Sequence, residues 1–352
     1  MSTRWEVTSF SVQTSTADGR SDALYANGRM QVPVIVVIRA VTEGTFSPYQ
    51  LTTAELQRIL LVDYHNTASE ITGDWFYSRI ENEFAHTLTG GRDPAQPILE
   101  PGAQAVFLWV STTRIANRNI GARITQPNGT IITTNSSSFN SQVTLTGMTP
   151  LSYNTNNVSI RREDTEEGTW RFDIVSSGTV VSSSANRWDQ DNYYITLDNH
   201  QVLLKADVYG YDATGSQNGV HSDPRLANSF AYYSEANMNL SIFYFWPVGP
   251  EATKAVGAYR ELNWTSSYKF VANAFASIRV NQTRNALCLT RMLFVGGSNA
   301  LWGQEWSMDT WFRLYDQFGN SGDFAPVIHS KNTLSLENRN MRSEGARSEA
   351  KL

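Results

Sequence analysis

Between residues 103 and 185 the chain breaks into short runs in which apolar and polar residues alternate: 105–112, 120–125, 130–134, 142–146, 158–162, 169–174 and 179–183. A period of two places every second side chain on one face, which is the geometry of a half-buried strand. None of these runs is long enough for a stable helix of period 3.6. Turn-forming residues separate them, most clearly Pro127-Asn128-Gly129, with Gly147, Asn154 to Asn157, Glu167-Gly168 and Ser177-Gly178 behind it. Closely spaced strands joined by turns are the mark of an antiparallel sandwich or barrel.

The rest of the chain extends that reading. Residues Met30, Val32, Val34, Val36, Ile38 and Ala40 share one face of a predicted strand that runs from Ala23 to Ala40, after an Asn27-Gly28 turn signal. Pro33 lacks a ladder donor and predicts an edge or a bulge there. Thr52 precedes Glu55 by three residues as a capping box, so a helix is expected over Thr53 to Val62. Asp223 to Asn239 and Ser267 to Ala276 are candidates for further short helices, the second overlapping a strand-like alternating run from Tyr268 to Val280. Gly90-Gly91 with Pro94, Pro97 and Pro101 reads as a linker. These signals predict an all-β, mainly antiparallel protein. Its expected parts are a β-sandwich over 1–100, a Ser/Thr-rich β domain over 101–185, an aromatic-rich β domain over 186–330 and a disordered polar tail over 331–352.

Composition narrows the functional classes. Charged residues make up 17% of the 352 residues, against roughly 25% in ordinary soluble domains. The net charge of −5 offers no basic field for a polyphosphate, so nucleic acid is not an expected partner. Cys288 is the single cysteine, which rules out an intramolecular disulfide and any cysteine-rich metal cluster. The opening residues carry Arg4 and Glu6 and form no apolar signal-peptide core. No apolar run reaches the length of a spanning helix, because the one starting at Val34 is interrupted at Arg39. Synthesis in the cytoplasm, with release by a route that needs no such signal, is the corresponding expectation.

No catalytic motif is present. The histidines His65, His86, His200, His221 and His329 are scattered without ligand spacing. There is no Gly-x-Ser-x-Gly elbow, and Cys288 lies among apolar neighbours. Two carboxylates across a cleft suffice for a glycosidase, and Asp189, Asp191 and Glu305 lie beside aromatic residues suited to sugar stacking. Trp188, Tyr193, Tyr194, Trp302 and Trp306 are therefore the candidate ligand-binding residues, with structural core aromatics as the competing explanation. Asp316, Asn320 and Asp323 supply oxygens in a glycine-spaced loop, the chemistry of a calcium site. An Asx-rich turn explains the same residues, and no other cofactor is expected.

The uncharged stretch 129–149 joins short alternating segments through a Ser-rich run, and resembles the insertion hairpins of β-pore-forming toxins. That resemblance implies a membrane-facing role for Phe139, Val143 and Leu145; an exposed sandwich hairpin is the alternative. Residues 23–38, with an Ala-Asn-Gly turn leading into a Val/Ile strand, resemble the opening strands of the bacterial immunoglobulin-like domains of invasin and intimin-type adhesins. This implies immunoglobulin-like sandwiches and an adhesive role. The expected function is non-enzymatic: an adhesin- or toxin-type effector that binds a host glycan or surface receptor, with membrane contact and homo-oligomerisation as further candidates. A self-assembling particle protein and a two-carboxylate carbohydrate-active enzyme are the alternatives.

Overall fold

The computed structural model describes residues 4–198, 201–216, 222–234, 238–297 and 299–339. They are all-β and form two compact units, one of Met1–Leu151 with Gln317–Asn320 and the other of Ser152–Asp316 with Ser321–Leu352. The boundaries expected near 100 and 185 are both displaced. Residues on either side of 100 share one core, and residue 185 lies inside a continuous strand.

The first unit contains β1 (Trp5–Thr14), β2 (Ser21–Tyr25), β3 (Val32–Thr42), β4 (Pro48–Tyr49), α1 (Thr53–Leu56), β5 (Leu60–Asp63), β6 (Asn66–Glu70), β7 (Trp75–Ser78), β8 (Gln104–Thr112), β9 (Asn117–Thr125), β10 (Ile131–Thr133) and β11 (Val143–Met148). One sheet has the order β1-β3-β8-β7 with β4 on β3; the other has β2-β11-β9-β5-β6 with β10 on β9. The alternating residues Met30, Val32, Val34, Val36, Ile38 and Ala40 enter the core between the sheets and meet Leu61, Ile120, Val143 and Leu145. The predicted single strand over 23–40 is in fact two strands in different sheets, because the Asn27-Gly28 turn breaks it and Gly28 takes a positive φ of 71°. Pro33 sits in a central strand, tolerated because β1 pairs with β3 only from Val34 onward. The capping box forms as expected, with Thr52 accepting from the Glu55 amide and Glu55 from that of Thr52. The helix nevertheless stops at Leu56, and Leu60 to Asp63 join a sheet.

The 129–149 segment is corrected in two respects. β10 and β11 do not pair with each other; both lie along β9, β10 opposite Arg123 to Thr125 and β11 opposite Asn117 to Ile120. Val143 and Leu145 are fully buried, and Phe139 packs against the same core. Their alternation fills a sandwich interior, which is a sufficient physical reason for the pattern.

The second unit contains β12 (Val158–Ser176), β13 (Thr179–Leu197), β14 (Leu203–Tyr209), a 3-10 turn (Pro224–Leu226), β15 (Ser229–Ser234), β16 (Leu240–Trp246), β17 (Ala252–Asn263), β18 (Tyr268–Val280), β19 (Leu287–Phe294), α2 (Asn299–Trp302), β20 (Trp306–Ser307), β21 (Trp311–Asp316), β22 (Ser321–His329) and β23 (Thr333–Asn338). Eight strands form one sheet in the order β17-β18-β12-β13-β19-β16-β15-β20, and four form another in the order β14-β21-β22-β23. Phe243, Phe245, Leu287 and Leu289 from the large sheet pack on Phe312, Leu314 and Phe324 from the small one.

The opposite face of the large sheet curls around a core of its own. Small residues Ala272, Ala274 and Ala276 on β18 share this core with Tyr232, Tyr244 and Trp246, several strands away in the sheet order. Small side chains facing large ones let the two ends of the sheet approach at interior packing density. The candidate helix over 267–276 is a strand instead. Its period-two alternation of Phe270, Ala272, Ala274, Ala276, Ile278 and Val280 outweighs the helical preference of alanine. The candidate helix over 223–239 reduces to the 3-10 turn and β15, and residues 235–237 lie outside the described residues. Thr333 to Asn338 pair with β22 where a disordered tail was expected, and residues 340–352 of that tail lie outside the described residues.

Candidate functional site

Strands β12 and β13 are 19 residues each, about 60 Å at ~3.3 Å per residue, far longer than an ordinary globular strand. The lower half of β13, Trp188 to Ile195, pairs with β19, whereas the outer half of β12, Arg171 to Ser176, pairs with β18. The hairpin thus projects past β19 and is accompanied outward by the β17–β18 hairpin. The turns of both hairpins, around Ser177-Gly178 and Trp264 to Ser267, flank a cleft of about 230 Å³ lined by Val175, Ser177, Gly178, Asn263, Thr265, Ser267 and neighbouring residues.

An aromatic row connects this end to the core. Trp302 lies 5.4 Å from Trp170, Trp170 lies 6.3 Å from Phe172, Phe172 lies 5.5 Å from Phe270, and Phe270 stacks on Trp264 at 4.8 Å and 22°. Tyr268 flanks Trp264 at 6.3 Å. Trp302 and Trp170 are buried, while Trp264 is 59% exposed and Tyr268 is 42% exposed. The row holds the outer indole in a defined orientation without burying it. The loop below it is ordered by the Thr265 hydroxyl, which accepts from the amides of Ser267 and Tyr268, and by the Tyr268 carbonyl, which accepts from Trp264.

The electrostatics of this end are neutral. Lys269 pairs with Glu261 at 2.6 Å and Arg171 with Asp173 at 2.8 Å. The hydrogen bond from Lys269, helped by Tyr259, holds the Glu261 carboxyl below its usual range. What remains is hydroxyl, amide and aromatic surface, the chemistry that antibody-type recognition loops use: rigid aromatic anchors with small adaptable hydrogen-bonding neighbours.

The residues singled out from the sequence sit elsewhere. Trp188, Tyr194 and Trp302 belong to the curled-sheet core, Tyr193 lies in the core between the two sheets, and Trp306 is half-buried and stacked on Tyr232. Trp188, Tyr193, Tyr194 and Trp302 fill interior volume and present no open ring face for sugar stacking. Asp189 and Asp191 share a face of β13 and are both bonded by the buried Arg291 at 2.9 Å, with Arg162 also reaching Asp191 at 2.9 Å. Burial and the neighbouring Asp191 charge raise the Asp189 carboxyl. Glu305 pairs with Lys331 at 2.6 Å. These carboxylates form ion pairs and do not flank an open cleft.

Asp323 is held at both oxygens by Arg313, at 2.6 and 2.8 Å, and the buried Asp316 accepts from the Tyr153 hydroxyl at 2.8 Å. Asn320, which completes the proposed calcium loop, accepts from Asn27 at 2.8 Å. Among the described residues no group of three His, Cys, Asp or Glu side chains is placed to hold a metal ion. His200 and His221 lie outside the described residues. The sequence reading passed over Trp264, Tyr268, Phe270 and Phe172. The available signal was the alternation of β18 running straight into the turn-rich Asn263-Trp264-Thr265-Ser266-Ser267-Tyr268.

No protein-family profile and no curated protein sequence matches the chain. Among solved structures, the C-terminal domain of the Streptococcus agalactiae AgI/II polypeptide BspA aligns over 94% of this chain and 100% of that one, at 7% identity and a TM-score of 0.19. A similarity of that size carries no inference about fold or function. Among the described residues no helix is long and apolar enough to cross a membrane.

Proposed function

We propose that this is a non-enzymatic binding protein of the adhesin or toxin type, which recognises a neutral polar ligand on a cell surface, a glycan or a glycan-bearing receptor, through its paired hairpin ends. The observation that carries this reading is the exposed Trp264, held by stacking on Phe270 and ringed by uncharged hydroxyl and amide groups. An exposed, pre-oriented indole loses little conformational entropy on binding, and neighbouring hydroxyls can complement sugar hydroxyls at no desolvated-charge cost. The neutral charge balance at this end favours a neutral ligand over an anionic one.

The test is retention on an immobilised glycan panel and on receptor-bearing cells, comparing the parent protein with Trp264→Ala and Tyr268→Ala. A hot-spot indole predicts about a 30-fold loss for Trp264→Ala, corresponding to ~2 kcal/mol. Because Trp264 is largely exposed, its melting temperature should stay close to that of the parent. Equal retention of parent and variant on every surface that holds the parent would remove this end from consideration. Release of reducing ends from any glycan on the panel would replace the reading with the carbohydrate-active alternative.

A further inference from the structure

The outer edge of β13 is open. Beyond Trp188 no strand pairs with β13 on the side away from β12 among the described residues. From Thr179 to Ala185 seven consecutive residues are exposed on both faces. Arg187 turns its carbonyl to Val295 on that open side, so alternation turns the amides and carbonyls of Ser183 and Ala185 the same way. From Ile174 to Asn186 the hairpin carries no charged residue and no proline.

The strands that end each sheet, and the inner half of β12, are protected. Gln126 accepts from Val7, and Ser141 bridges the amide and carbonyl of Val12, capping β1. Tyr244 and Asp223 accept from β17 at Gly257 and Tyr259. The inner half of β12 carries Arg161, Arg162, Glu163, Asp164, Glu166 and Glu167 and a bulge. Strands β2, β6, β14 and β23 carry Asp22, Glu70, Lys205 with Asp207, and Glu337, and β4, β7, β10 and β20 span four residues or fewer. Charges, bulges, caps and shortness are the devices by which monomeric proteins prevent edge pairing. Thr179 to Ala185 has no charge and no cap, and its single bulge, at Val181, lies beside the turn and leaves Ser183 and Ala185 in regular register with β12.

We propose that this edge pairs antiparallel with the same edge of a second copy, continuing the sheet across a two-fold axis. The absence of charge favours a copy of this chain over a foreign strand. In self-pairing each residue faces one from its own short stretch, so any charge there would meet its own sign. A foreign strand is selected by complementary charges or side-chain pockets, and Thr179 to Ala185 offers only Thr, Val, Ser and Ala on open faces. Antiparallel pairing points the two hairpin ends in opposite directions. The pairing itself stands independently of whether those ends bind a glycan.

Light scattering coupled to size exclusion over a concentration series tests this. The parent is expected to show a two-chain mass that falls to one chain on dilution. Ser183→Lys and Val181→Lys place a charge on the edge and should give one chain throughout, with unchanged circular dichroism and melting temperature. Hydrogen exchange at Ser183 and Ala185 in the parent should slow as concentration rises, a readout that survives if a variant fails to fold. A one-chain parent mass up to the solubility limit overturns the proposal. So does a two-chain mass that both lysine variants retain, and a lysine-sensitive assembly larger than two chains overturns its two-fold form.

Discussion

The hydroxyl of Tyr244 on β16 accepts the amide hydrogen of Gly257 on β17 at 3.1 Å and donates to the Arg225 carbonyl at 3.1 Å. The two strands lie five places apart in the eight-stranded sheet, so this contact is where the curled sheet meets its own edge. Asp223 extends the closure by accepting from the Tyr259 amide at 2.8 Å. Side-chain oxygens thereby take the role that a further strand plays in a closed barrel.

Gly257 is required by its pairing with β18. Its φ is +131°, and a Cβ there would lie 1.9 Å from the Ala274 carbonyl oxygen. Gly257→Ala should therefore cost about 3 kcal/mol or more, because backbone has to move. Tyr244→Phe keeps the packing and loses two hydrogen bonds, for a cost of about 1–3 kcal/mol. Chemical denaturation of both variants checks the ranking; a Tyr244→Phe variant as stable as the parent would show that the sheet does not close as described.

Arg291 is 3% exposed and neutralises Asp191, which has no exposed surface. Arg291→Met should lose about 2–4 kcal/mol, because it leaves the buried Asp191 carboxylate with only the half-exposed Arg162 as a cationic partner. Combining it with Asp191→Leu should recover most of the loss, since the interior then has no uncompensated charge at that position. Denaturation midpoints for the two single variants and the double variant measure the coupling, which additive losses would contradict.

Asp22 has one buried oxygen without a hydrogen-bond partner among the described residues, while the other accepts from the Ala23 amide at 2.8 Å. Burial, reinforced by the Asp18 charge, pushes its carboxyl up to about 6 from a usual 3.8. The native state thus holds this proton more tightly than the unfolded chain. The resulting stabilisation is complete below about pH 4 and disappears as pH rises through about 6. Asp22→Asn should raise stability at pH 7.5 by about 1 kcal/mol, allowing for solvent screening of this partly exposed group. It should also flatten the stability profile between pH 4 and 6.

Cys288 is fully buried, and burial pushes its thiol up to about 11. At pH 8 a thiol reagent should label it slowly in the native protein and rapidly in denaturant, at a native rate that tracks transient opening. Fast stoichiometric labelling without denaturant would place the thiol at the surface.

How far the sequence reached can be read residue by residue. It determined the all-β class, the inward face from Met30 to Ala40 and the Thr52–Glu55 capping box, because period and capping are local properties carried by neighbouring residues. Tertiary structure decided the rest. The uncharged 129–149 segment reads as a surface hairpin in sequence, yet Val143 and Leu145 lie beside Ile120 in one sheet and share a core with Val34 of the other. Trp188 and Trp264 are the same residue type beside similar polar neighbours, yet one fills the curled-sheet core and the other stands at the hairpin end. Which aromatic is free to meet a ligand depends on which strands arrive beside it from elsewhere in the chain. The open edge at Thr179 to Ala185 has the same origin: alternation predicts the strand, but only the pairing of β19 from Trp188 onward leaves its outer hydrogen-bonding groups unmatched.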